Sequence, residues 1–268
     1  MRNNVNGQNR VKIAVLGADG FLGGELCDHL RENYDVCGIT RKNYYGNVGK
    51  QYDIFINANG NSRRHWANKN ILEDFEVSTA SVYKTFFDFK TGLYIYVSSS
   101  DVYPCHDDPS RSSETSIIDP KDLAPYGFHK YLSESMVRKY APLYLILRCS
   151  AFVGKDMKKG AVWDLMEQRP LFVTMDSRLQ FISASEISDI IKGLIAGDVF
   201  NDTFNVGGIG AVSLRDLANS VNKDAFVQAE AERQVYEMDV SKLKKIYPLK
   251  SSAEYIQECI DVVRIGKY

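Results

Sequence analysis

The chain has 268 residues, with 33 basic against 34 acidic side chains and a formal net charge of −1. Apolar residues make up 44% and aromatic residues 12%, which excludes intrinsic disorder because such a chain can bury a large core. The balanced charge argues against a protein that coats nucleic acid or an anionic membrane, so we expect neither as a partner. The length suits one large α/β domain, alone or with a modest appendage.

The compartment is inferred from what the sequence lacks. The first ten residues are polar and contain no apolar core of a signal peptide, and no apolar stretch approaches the roughly 20 residues that span a bilayer. The five cysteines are scattered, without a Cys-x-x-Cys pair or a nearby pair of histidines. We therefore expect a cytoplasmic protein with buried free thiols and no metal site.

The first 154 residues alternate short apolar runs with amphipathic segments. Five runs bounded by turn residues predict buried strands at 11–16, 34–40, 53–57, 93–98 and 143–149. Leu22, Leu26 and Leu30 recur every four residues and predict a helix after the first strand, and further helices are predicted over 72–89 and 126–140. Strands that alternate with helices predict an α/β fold, a Rossmann-type doubly wound parallel sheet with helices on both faces.

Two places depart from this rhythm. Between Thr40 and Asp53 about a dozen residues barely permit a parallel crossover, so one strand–helix unit is expected to be reduced to a loop. After residue 154 the pattern loosens, which predicts a small C-terminal α/β lobe. The elements predicted in this part are helices over 162–167, 185–196, 213–221 and 252–263, and strands over 179–182 and 202–206.

Three glycines, Gly17, Gly20 and Gly23, stand between the first predicted strand and the first predicted helix. Glycines at such a junction permit a sharp turn and bring the backbone close to a pyrophosphate. The helix amino terminus then offers free N–H groups and the positive end of its dipole. The position of the triplet favours a dinucleotide site over the alternative, a tight turn that only packs the helix closely.

The end of the second predicted strand bears on the choice of cofactor. Dinucleotide folds that select NAD place an acidic residue there, which binds the ribose hydroxyls. Here the strand ends in Thr40, Arg41 and Lys42, and two cations suit a 2′-phosphate. We therefore favour NADP, with NAD as the second choice. A solvated basic turn is the alternative interpretation of the two cations.

Tyr126 and Lys130 are four residues apart in a predicted helix, so both side chains lie on one face. Such a pair arises by chance in a chain rich in tyrosine and lysine, and its context gives it weight. The segment SSSDVY (98–103) follows a predicted strand, at the edge of the sheet where α/β proteins bind ligands. A neighbouring ammonium and an oxidised nicotinamide would lower the tyrosine pKa, ordinarily about 10, toward a useful range. A serine hydroxyl of this segment would hydrogen-bond the substrate oxygen.

Several segments together resemble the extended short-chain dehydrogenases/reductases, and among them the NAD-dependent epimerase/dehydratase family, which acts on nucleotide-linked sugars. They are GADGFLGG (17–24), SSSDVYP (98–104), YGFHKYLSE (126–134), LRCSAFVG (147–154), FISASEISDII (181–191), FNVGG (204–208) and MDVSKLKKIYPL (238–249). The likeness extends from residue 11 to residue 263. The segment YDVCGITRKN is also similar to the second strand of NADP-using members such as GDP-mannose dehydratase.

The resemblance implies a Ser-Tyr-Lys mechanism on Ser99, Tyr126 and Lys130. In it Tyr126 is the acid/base, while Lys130 lowers the pKa of that tyrosine and holds the ribose. The implied cofactor contacts are Gly17, Asp19, Gly20, Phe21, Leu22, Gly23, Arg41, Lys42, Asn57, Ala58, Asn59, Ser98, Tyr126 and Lys130. Candidate substrate contacts are Ser100, Asp101 and Arg178.

The resemblance also implies a division into domains. Residues 11–154, completed by parts of 179–210, are expected to form the NAD(P)-binding Rossmann domain. Residues 155–178 and 211–268 are expected to form a small substrate-binding lobe. A homodimer is a further expectation, because members of this family often pair two helices from each subunit.

The chain departs from the family at substrate-facing positions. Ala151, Val153 and Lys155 stand where the family has its usual sugar-nucleotide contacts. Dehydratases place an Asp-Glu pair after the catalytic residue, where this chain has Ser100 and Asp101. Loss of that pair argues against 4,6-dehydration, because the elimination needs a second acid/base group.

We therefore predict an NAD(P)-dependent oxidoreductase, an NADP-dependent reductase or epimerase of a nucleotide-linked keto-sugar. A reductase is favoured because the phosphorylated cofactor usually serves net reduction. Two alternatives stay open, a reductase of a small non-nucleotide carbonyl compound and a non-catalytic dinucleotide-binding sensor on the same fold. Ala151 and the small second lobe favour the former, and the presence of both Tyr126 and Lys130 argues against the latter.

Overall fold

The computed structural model describes residues 10–61, 63–221 and 223–265, excepting the side chains of residues 264 and 265. The strands in these residues are β1 Lys12–Leu16, β2 Asp35–Ile39, β3 Gln51–Asn57, β4 Lys90–Ser99, β5 Leu143–Cys149, β6 Ala151–Val153, β7 Leu171–Val173, β8 Arg178–Leu179, β9 Phe181–Ser183, β10 Asp202–Val206, β11 Val212–Ser213, β12 Val227–Glu232 and β13 Val235–Tyr236. The α-helices are α1 Phe21–Leu30, α2 Arg64–Lys69, α3 Ile71–Phe75, α4 Ser81–Asp88, α5 Pro125–Tyr140, α6 Ala161–Met166, α7 Ala184–Ala196, α8 Leu214–Val221, α9 Ser241–Lys244 and α10 Ser252–Ile265.

A six-stranded sheet in the order β10-β5-β4-β3-β1-β2 is the centre of the fold. The pairs β1–β2, β1–β3 and β3–β4 are parallel, as expected for strands joined by crossovers. The apolar runs that predicted these strands are buried, since every residue of β1 after Lys12 and most of β3 and β4 lie inside. This arrangement confirms the predicted Rossmann-type parallel sheet, and it brings the carboxyl ends of its strands to one edge.

Large aromatic side chains fill the core beside this sheet. Phe55 of β3 stacks on Tyr94 of β4 at 5.3 Å between ring centroids, and Phe86 of α4 packs against Tyr94 at 4.8 Å. These neighbouring strands and the helix beside them therefore present one continuous apolar surface. The buried members of this core cluster are Ala14, Leu16, Ile39, Tyr52, Phe55, Val82, Phe89, Tyr94, Tyr96, Val137 and Ile146.

The connection between β2 and β3 is short, as predicted. It contains one 3-10 turn, Tyr45–Asn47, in place of a strand and a helix. β2 is therefore an edge strand beside β1, and the chain crosses β1 to enter β3 on the other side. The segment 71–88 is helical throughout as expected, with a π-helical turn over Glu76–Ala80 between α3 and α4.

Beyond the central sheet the structure differs from the predicted elements. The strand predicted over 179–182 is two strands, because Gln180 separates β8 from β9 and each pairs with different neighbours. β8 lies between β11 and β13, whereas β9 pairs in parallel with β6. The predicted helices α6, α7, α8 and α10 and the strand β10 are present, the strand with the predicted bounds.

The chain divides into two compact units. The first contains the described residues up to Pro104 together with Ile117–Arg148 and Ser185–Phe204. The second contains Cys105–Ser116, Cys149–Ala184 and the described residues from Asn205 onward. The bounds expected for a cofactor domain and a substrate lobe stay a prediction.

Two searches of the described residues bear on partners. None of their helices has both the length and the apolar character needed to cross a bilayer. No cluster of three or more histidine, cysteine, aspartate or glutamate side chains in that part of the chain is arranged to hold a metal ion. None of the five cysteines, all of which lie in the described residues, forms a disulfide; Cys27, Cys149 and Cys259 are buried as expected, while Cys37 and Cys105 are half-buried.

Candidate active site

The turn after β1 contains Gly17 and Gly23, and a side chain at either position would displace neighbouring backbone atoms. Gly17 has a φ of +90°, in the region that favours glycine, and its N–H donates to the Ile39 carbonyl at 2.9 Å. A side chain on Gly23 would collide with the carbonyl of Gly17. The first turn of α1 therefore lies directly against the end of β1. Such a cradle, which a Cβ would fill, fits the pyrophosphate of a dinucleotide.

The amino terminus of α1 follows this turn directly, and no side chain of its N-cap residue caps its backbone N–H groups. The helix begins at Phe21, and Gly20 before it makes no side-chain capping hydrogen bond. The first turn contains no acidic residue, so nothing in it competes with an anion for the positive end of the dipole. Asp19 is exposed beside the turn, whereas Leu22 is buried and anchors the helix to the sheet.

The end of β2 is held in a tight turn by Asn43. Its side chain accepts from the Thr40 N–H at 2.7 Å and donates to the Gly38 carbonyl at 2.9 Å. The turn presents Arg41 and Lys42 to solvent, and neither forms an ion pair within the described part of the chain. Two cations with no carboxylate partner there are available to an anionic ligand.

The loop after β3 contacts both the glycine turn and helix α5. The Ala58 N–H donates to the Leu16 carbonyl at 3.0 Å. The buried Asn57 side chain accepts from the Asn59 N–H at 3.0 Å, which fixes the loop locally. At Gly60, with φ +141°, an added Cβ would lie 3.2 Å from Nζ of Lys130. The cofactor residues predicted on this loop thus lie beside the predicted catalytic lysine.

Tyr126 and Lys130 are buried on α5, and the half-buried Ser99 ends β4. A hydrogen bond from Ser99 lowers the pKa of Tyr126. Tyr126 and Lys130 are 8% and 6% exposed, so both side chains are largely shielded from bulk water. Lys130 donates from Nζ to the Val97 carbonyl at 3.1 Å and lies 5.1 Å from the centre of the Tyr96 ring.

The charge environment of Tyr126 favours its protonated form. Burial raises the pKa of Tyr126 to about 12, Lys130 lowers it, and the carboxylate of Asp101 raises it. The lysine thus acts in the predicted direction, but the loss of hydration outweighs it. Tyr126 in the chain alone is therefore a phenol at neutral pH. An oxidised nicotinamide would add a positive charge that favours the phenolate.

Two contacts that sequence reasoning missed position Tyr126 on α5. The N–H of Tyr126 donates to Oδ1 of Asn68, which belongs to α2 and is 58 residues away in the sequence. A side chain on Gly127 would collide with the carbonyl of Asp101, so this glycine lets α5 approach the 3-10 turn Ser100–Val102. The glycine in YGFHK is a local signal that could have predicted this close packing. Nothing local predicts Asn68.

Adjacent serines at the end of β4 donate to different carboxylates. Ser99 donates to Oδ2 of Asp101 at 3.0 Å, and Oδ1 of Asp101 is 3.2 Å from Nη1 of Arg64. Ser98 donates to Oε1 of the buried Glu134 at 2.7 Å. Ser98, predicted to contact the cofactor, therefore directs its hydroxyl to a buried ion pair. The sequence did not predict the pairing of Arg64 with Asp101.

Glu134 pairs with Arg148 below the site. Nε and Nη2 of the arginine reach the two carboxylate oxygens at 3.0 and 2.7 Å, and Nη1 donates to the Tyr103 hydroxyl at 2.8 Å. Burial alone would raise the pKa of Glu134, but Arg148, Arg138 and the hydrogen bonds hold it below its usual value. This closed geometry suits a structural role for Glu134.

His129 is buried within hydrogen-bond distance of Asp74. Its Nδ1 lies 2.7 Å from Oδ2 of Asp74, and Oδ1 of Asp74 accepts from Asn61 and Ser78 at 3.1 Å each. This group ties α5 to α3 and to the loop after β3. It therefore supports the loop beside Lys130.

The predicted substrate contacts fall in both compact units of the chain. Asp101 and the buried Ser100 belong to the first unit, where they lie in the same 3-10 turn. Arg178 belongs to the second compact unit, where its exposed side chain donates to the Ala211 carbonyl at 3.3 Å. Its role as a substrate contact stays a prediction.

Solved structures share this fold at low sequence identity. A UDP-glucose 4-epimerase from Thermotoga maritima matches with 16% identity and a TM-score of 0.74, over 96% of this chain and 100% of the other. A dTDP-4-dehydrorhamnose reductase from Bacillus anthracis in complex with NADP matches with 17% identity and a TM-score of 0.76, over 96% and 99%. A UDP-glucuronic acid 4-epimerase from Bacillus cereus in complex with UDP-glucuronic acid and NAD matches with 18% identity and a TM-score of 0.75, over 96% and 100%.

These likenesses show the fold of the chain. Residues 48–169, a little less than half of the chain, match the model of the NAD dependent epimerase/dehydratase family, and this segment contains Ser99, Tyr126 and Lys130. The complexes among the solved structures include both NAD and NADP.

Proposed function

We propose that this chain is an NADP-dependent reductase of a nucleotide-linked keto-sugar, with epimerisation of such a sugar as the second candidate. The observation that carries the proposal is the burial of Tyr126 and Lys130 on α5, with Lys130 bonded to the end of β4, the strand that ends in Ser99. A phenol that is shielded from water, paired with a serine and facing an ammonium is suited to transfer a proton to or from a substrate oxygen.

Each of the three residues has a distinct task in this proposal. Tyr126 gives its proton to the oxygen of the carbonyl that is reduced, and Ser99 hydrogen-bonds that oxygen and orients it. Lys130 lowers the cost of the resulting phenolate and holds the nicotinamide ribose. Its Nζ is fixed by the Val97 carbonyl at 3.1 Å, so its charge stays close to the phenol.

The cofactor is assigned to the glycine turn and the loops beside it. The turn around Gly17 and the amino terminus of α1 would hold the pyrophosphate, and the loop after β3 would lie along the dinucleotide. When bound, the reduced nicotinamide supplies the hydride for the carbonyl carbon. The fit is supported by Gly17 and Gly23, where added side chains would occupy space that the cradle needs.

The preference for NADP rests on the end of β2. Arg41 and Lys42 are exposed there, and no carboxylate within the described residues pairs with them. An acidic residue in their place would bind ribose hydroxyls and repel a 2′-phosphate, whereas two cations attract the phosphate. The dTDP-4-dehydrorhamnose reductase of the same fold is in complex with NADP.

A nucleotide sugar is proposed as the substrate because several solved structures of this fold are named as enzymes of nucleotide sugars. Among them are epimerases of UDP-glucose and UDP-glucuronic acid and a reductase of dTDP-4-dehydrorhamnose. Reduction is favoured over epimerisation because the two cations at the end of β2 favour NADP, and the phosphorylated cofactor usually serves net reduction.

A ligand panel followed by turnover tests the proposal. Thermal shifts with NAD, NADP, UDP, dTDP, GDP and CDP are expected to show stabilisation by NADP and by one nucleoside diphosphate, because binding to the folded state raises its stability. NADPH and the matching keto-sugar nucleotide should then give net oxidation of NADPH. Tyr126→Phe should lower kcat by about 10²-fold or more. Tyr131→Phe, on the same helix and half-buried, is the matched control and should keep its activity.

The outcomes separate the candidate functions. Interconversion of two sugars without net oxidation of NADPH would identify an epimerase. Unchanged turnover in Tyr126→Phe would contradict the proposed mechanism. Turnover of simple carbonyl compounds without any nucleotide effect would identify a reductase of non-nucleotide substrates.

The choice of cofactor has its own test. Replacing both Arg41 and Lys42 by alanine is expected to weaken NADP binding by about tenfold or more for each lost charge-assisted contact, with NAD binding unchanged. Lys90→Ala is the control, because this exposed cation lies at the opposite, amino-terminal end of β4. Equal losses for NAD and NADP in the double variant would overturn the assignment of the 2′-phosphate site.

A further inference from the structure

A buried carboxylate outside the Ser-Tyr-Lys group connects the loop after β3, residues 58–61, to helix α5. Asp74 of α3 is fully buried, and its two oxygens meet the side chains of Asn61 in that loop and of His129 in α5. We propose that Asp74 is a positioning residue for the cofactor, which fixes the loop after β3 against α5 beside Lys130. The inference rests on the proposed function, because that function assigns this loop to the dinucleotide.

The hydrogen bonds of Asp74 reach three different segments. Its Oδ1 accepts from Nδ2 of Asn61 and from Oγ of Ser78 at 3.1 Å each. Its Oδ2 lies 2.7 Å from Nδ1 of His129, and this nitrogen must donate because a carboxylate only accepts. The loop after β3, the turn after α3 and helix α5 are therefore joined at one side chain.

The π-helical turn Glu76–Ala80 directs further polar groups to the same place. Ser78 and Thr79 are consecutive in this turn, and both are buried. Oγ of Ser78 accepts from the Asn61 N–H at 3.5 Å, and Oγ1 of Thr79 donates to the His129 carbonyl at 3.2 Å. Turns of this kind inside helices occur frequently at functional sites. The turn therefore contacts both the loop and α5, as Asp74 does.

The two residues that Asp74 joins are sequence neighbours of two residues that face each other. Asn61 directly follows Gly60, and His129 directly precedes Lys130. A Cβ added to Gly60 would lie 3.2 Å from Nζ of Lys130, so the loop backbone lies close to the ammonium. Asp74 therefore fixes the spacing between the loop and the lysine from one residue away on each side.

A fixed loop favours binding because a ligand that must order a loop loses part of its binding free energy. Buried hydrogen bonds with satisfied partners keep such a loop in one conformation. One end of the loop is held at β1, where the Ala58 N–H donates to the Leu16 carbonyl, and the other end is held through Asn61. Lys130 keeps its own bond to the Val97 carbonyl. Loss of the Asn61 contact should therefore weaken dinucleotide binding more than it slows the chemical step.

Binding of NADPH, followed by its fluorescence well below the unfolding temperature, tests the inference without a sugar substrate. Asn61→Ala removes the amide that reaches Asp74 and should raise Kd for NADPH by about fivefold, as for one lost hydrogen bond. In turnover, KM for NADPH should rise while kcat at saturating NADPH is retained. Asn70→Ala is the matched control and should bind NADPH normally, because this half-buried asparagine before α3 donates to the Trp66 carbonyl.

Two substitutions of Asp74 separate its hydrogen bonds from its charge. Asp74→Asn keeps an oxygen for Asn61, and its amide donates to Nδ1 of His129 when the ring hydrogen moves to Nε2. Its Kd for NADPH should therefore stay within about twofold of the original value. Asp74→Ala removes every acceptor and should raise Kd at least as much as Asn61→Ala. The double variant Asn61→Ala with Asp74→Ala should bind no more weakly than Asp74→Ala, because both residues act through one contact.

The outcomes decide whether the contact positions the loop or only stabilises the fold. A lower unfolding temperature in Asn61→Ala with an unchanged Kd would make the contact structural and overturn the inference. Equal increases of Kd in Asp74→Asn and Asp74→Ala would also overturn it, because the charge would then be responsible. If Asp74→Ala fails to fold, Asn61→Ala decides alone, since Asn61 is a half-buried loop residue.

Parallel titrations with NADH distinguish this inference from the proposed function. An original chain that prefers NADH would contradict the proposed cofactor. The ratio of Kd between Asn61→Ala and the original chain, measured with the preferred dinucleotide, would then still decide the role of Asp74. An original chain that binds neither dinucleotide would contradict both.

Discussion

Two neighbouring serines at the end of β4 lead into two different ion pairs. Ser98 donates to Glu134, which pairs with Arg148, and Ser99 donates to Asp101, which pairs with Arg64. Successive residues of a strand point to opposite faces, so the two clusters diverge from adjacent positions. Two clusters of the same composition, each with a serine, a carboxylate and an arginine, therefore begin at neighbouring residues of one strand.

The Glu134 cluster is closed. Glu134 is fully buried and the Arg148 side chain is 4% exposed, and the pair is bidentate with a further bond to Tyr103. An ion pair with this geometry orders the groups around it, namely the end of β4, the end of β5 and the middle of α5. The Glu134 cluster orders the surroundings of Tyr126 and is itself almost completely shielded from solvent.

The Asp101 cluster is open by comparison. Its side chains are 16% and 31% exposed, and its serine is hydrogen-bonded to the tyrosine that we propose to react. Solvent, cofactor and substrate can all change the charge balance at such a pair. The comparison teaches that burial separates an ion pair that holds the fold from one that is able to tune chemistry.

The largest effect is expected from breaking the closed pair. Glu134→Gln leaves the buried Arg148 without its charged partner, and removal of one member of a buried pair typically costs about 3–5 kcal/mol of unfolding free energy. Urea unfolding followed by circular dichroism measures this loss. The double variant Glu134→Leu with Arg148→Met should recover much of it, because no buried charge is left unpaired. A single variant as stable as the original chain would contradict the structural role of the pair.

Substituting each serine in turn separates the two clusters. Ser98→Ala removes a hydrogen bond to a charged group and should cost about 1.5–3 kcal/mol of stability while turnover is retained. Ser99→Ala should cost less stability and lower kcat by about 10²–10³-fold, as for the loss of a donor to a developing oxyanion. Unfolding curves and initial rates on the same preparations measure both quantities. Reversed effects would exchange the roles of the two serines.

The patterns that predicted the site are all local. The glycine triplet, Thr40-Arg41-Lys42 and the spacing of Tyr126 and Lys130 each lie within a few residues, and the strand–helix alternation placed them at one edge of the sheet. In the structure Lys130 of α5 donates to the Val97 carbonyl of β4, two residues before Ser99, and the catalytic roles of Ser99, Tyr126 and Lys130 stay predictions. Short-range periodicity is sufficient where a motif occupies a single turn or helix face.

The parts of the site that sequence reasoning missed depend on long-range contacts. Arg64 meets Asp101 across 37 residues and Asn68 meets Tyr126 across 58, and α2 is only six residues long. A short helix without a clear apolar stripe gives no periodic signal. The split of the predicted strand at Gln180 has a similar cause, since strands of two or three residues are too short to show alternation.

The pH dependence of stability provides a smaller test of the closed cluster. The folded-state pKa of Glu134 is held below its unfolded value, so its contribution is present above the unfolded pKa of about 4.3 and is lost as the pH falls through the folded pKa. Below that unfolded value the slope from this one group approaches about 1.4 kcal/mol per pH unit. The Glu134→Gln variant should lack this component. Parallel stability curves for the two proteins below pH 4.3 would contradict the assignment.

The smallest effect is expected from breaking the open pair. Arg64→Gln removes a partly exposed ion pair, which contributes about 0–1 kcal/mol because water and salt screen it. Urea unfolding of this variant should therefore differ little from that of the original chain, in contrast with Glu134→Gln. A large loss of stability in Arg64→Gln would make both pairs structural and remove the distinction between them.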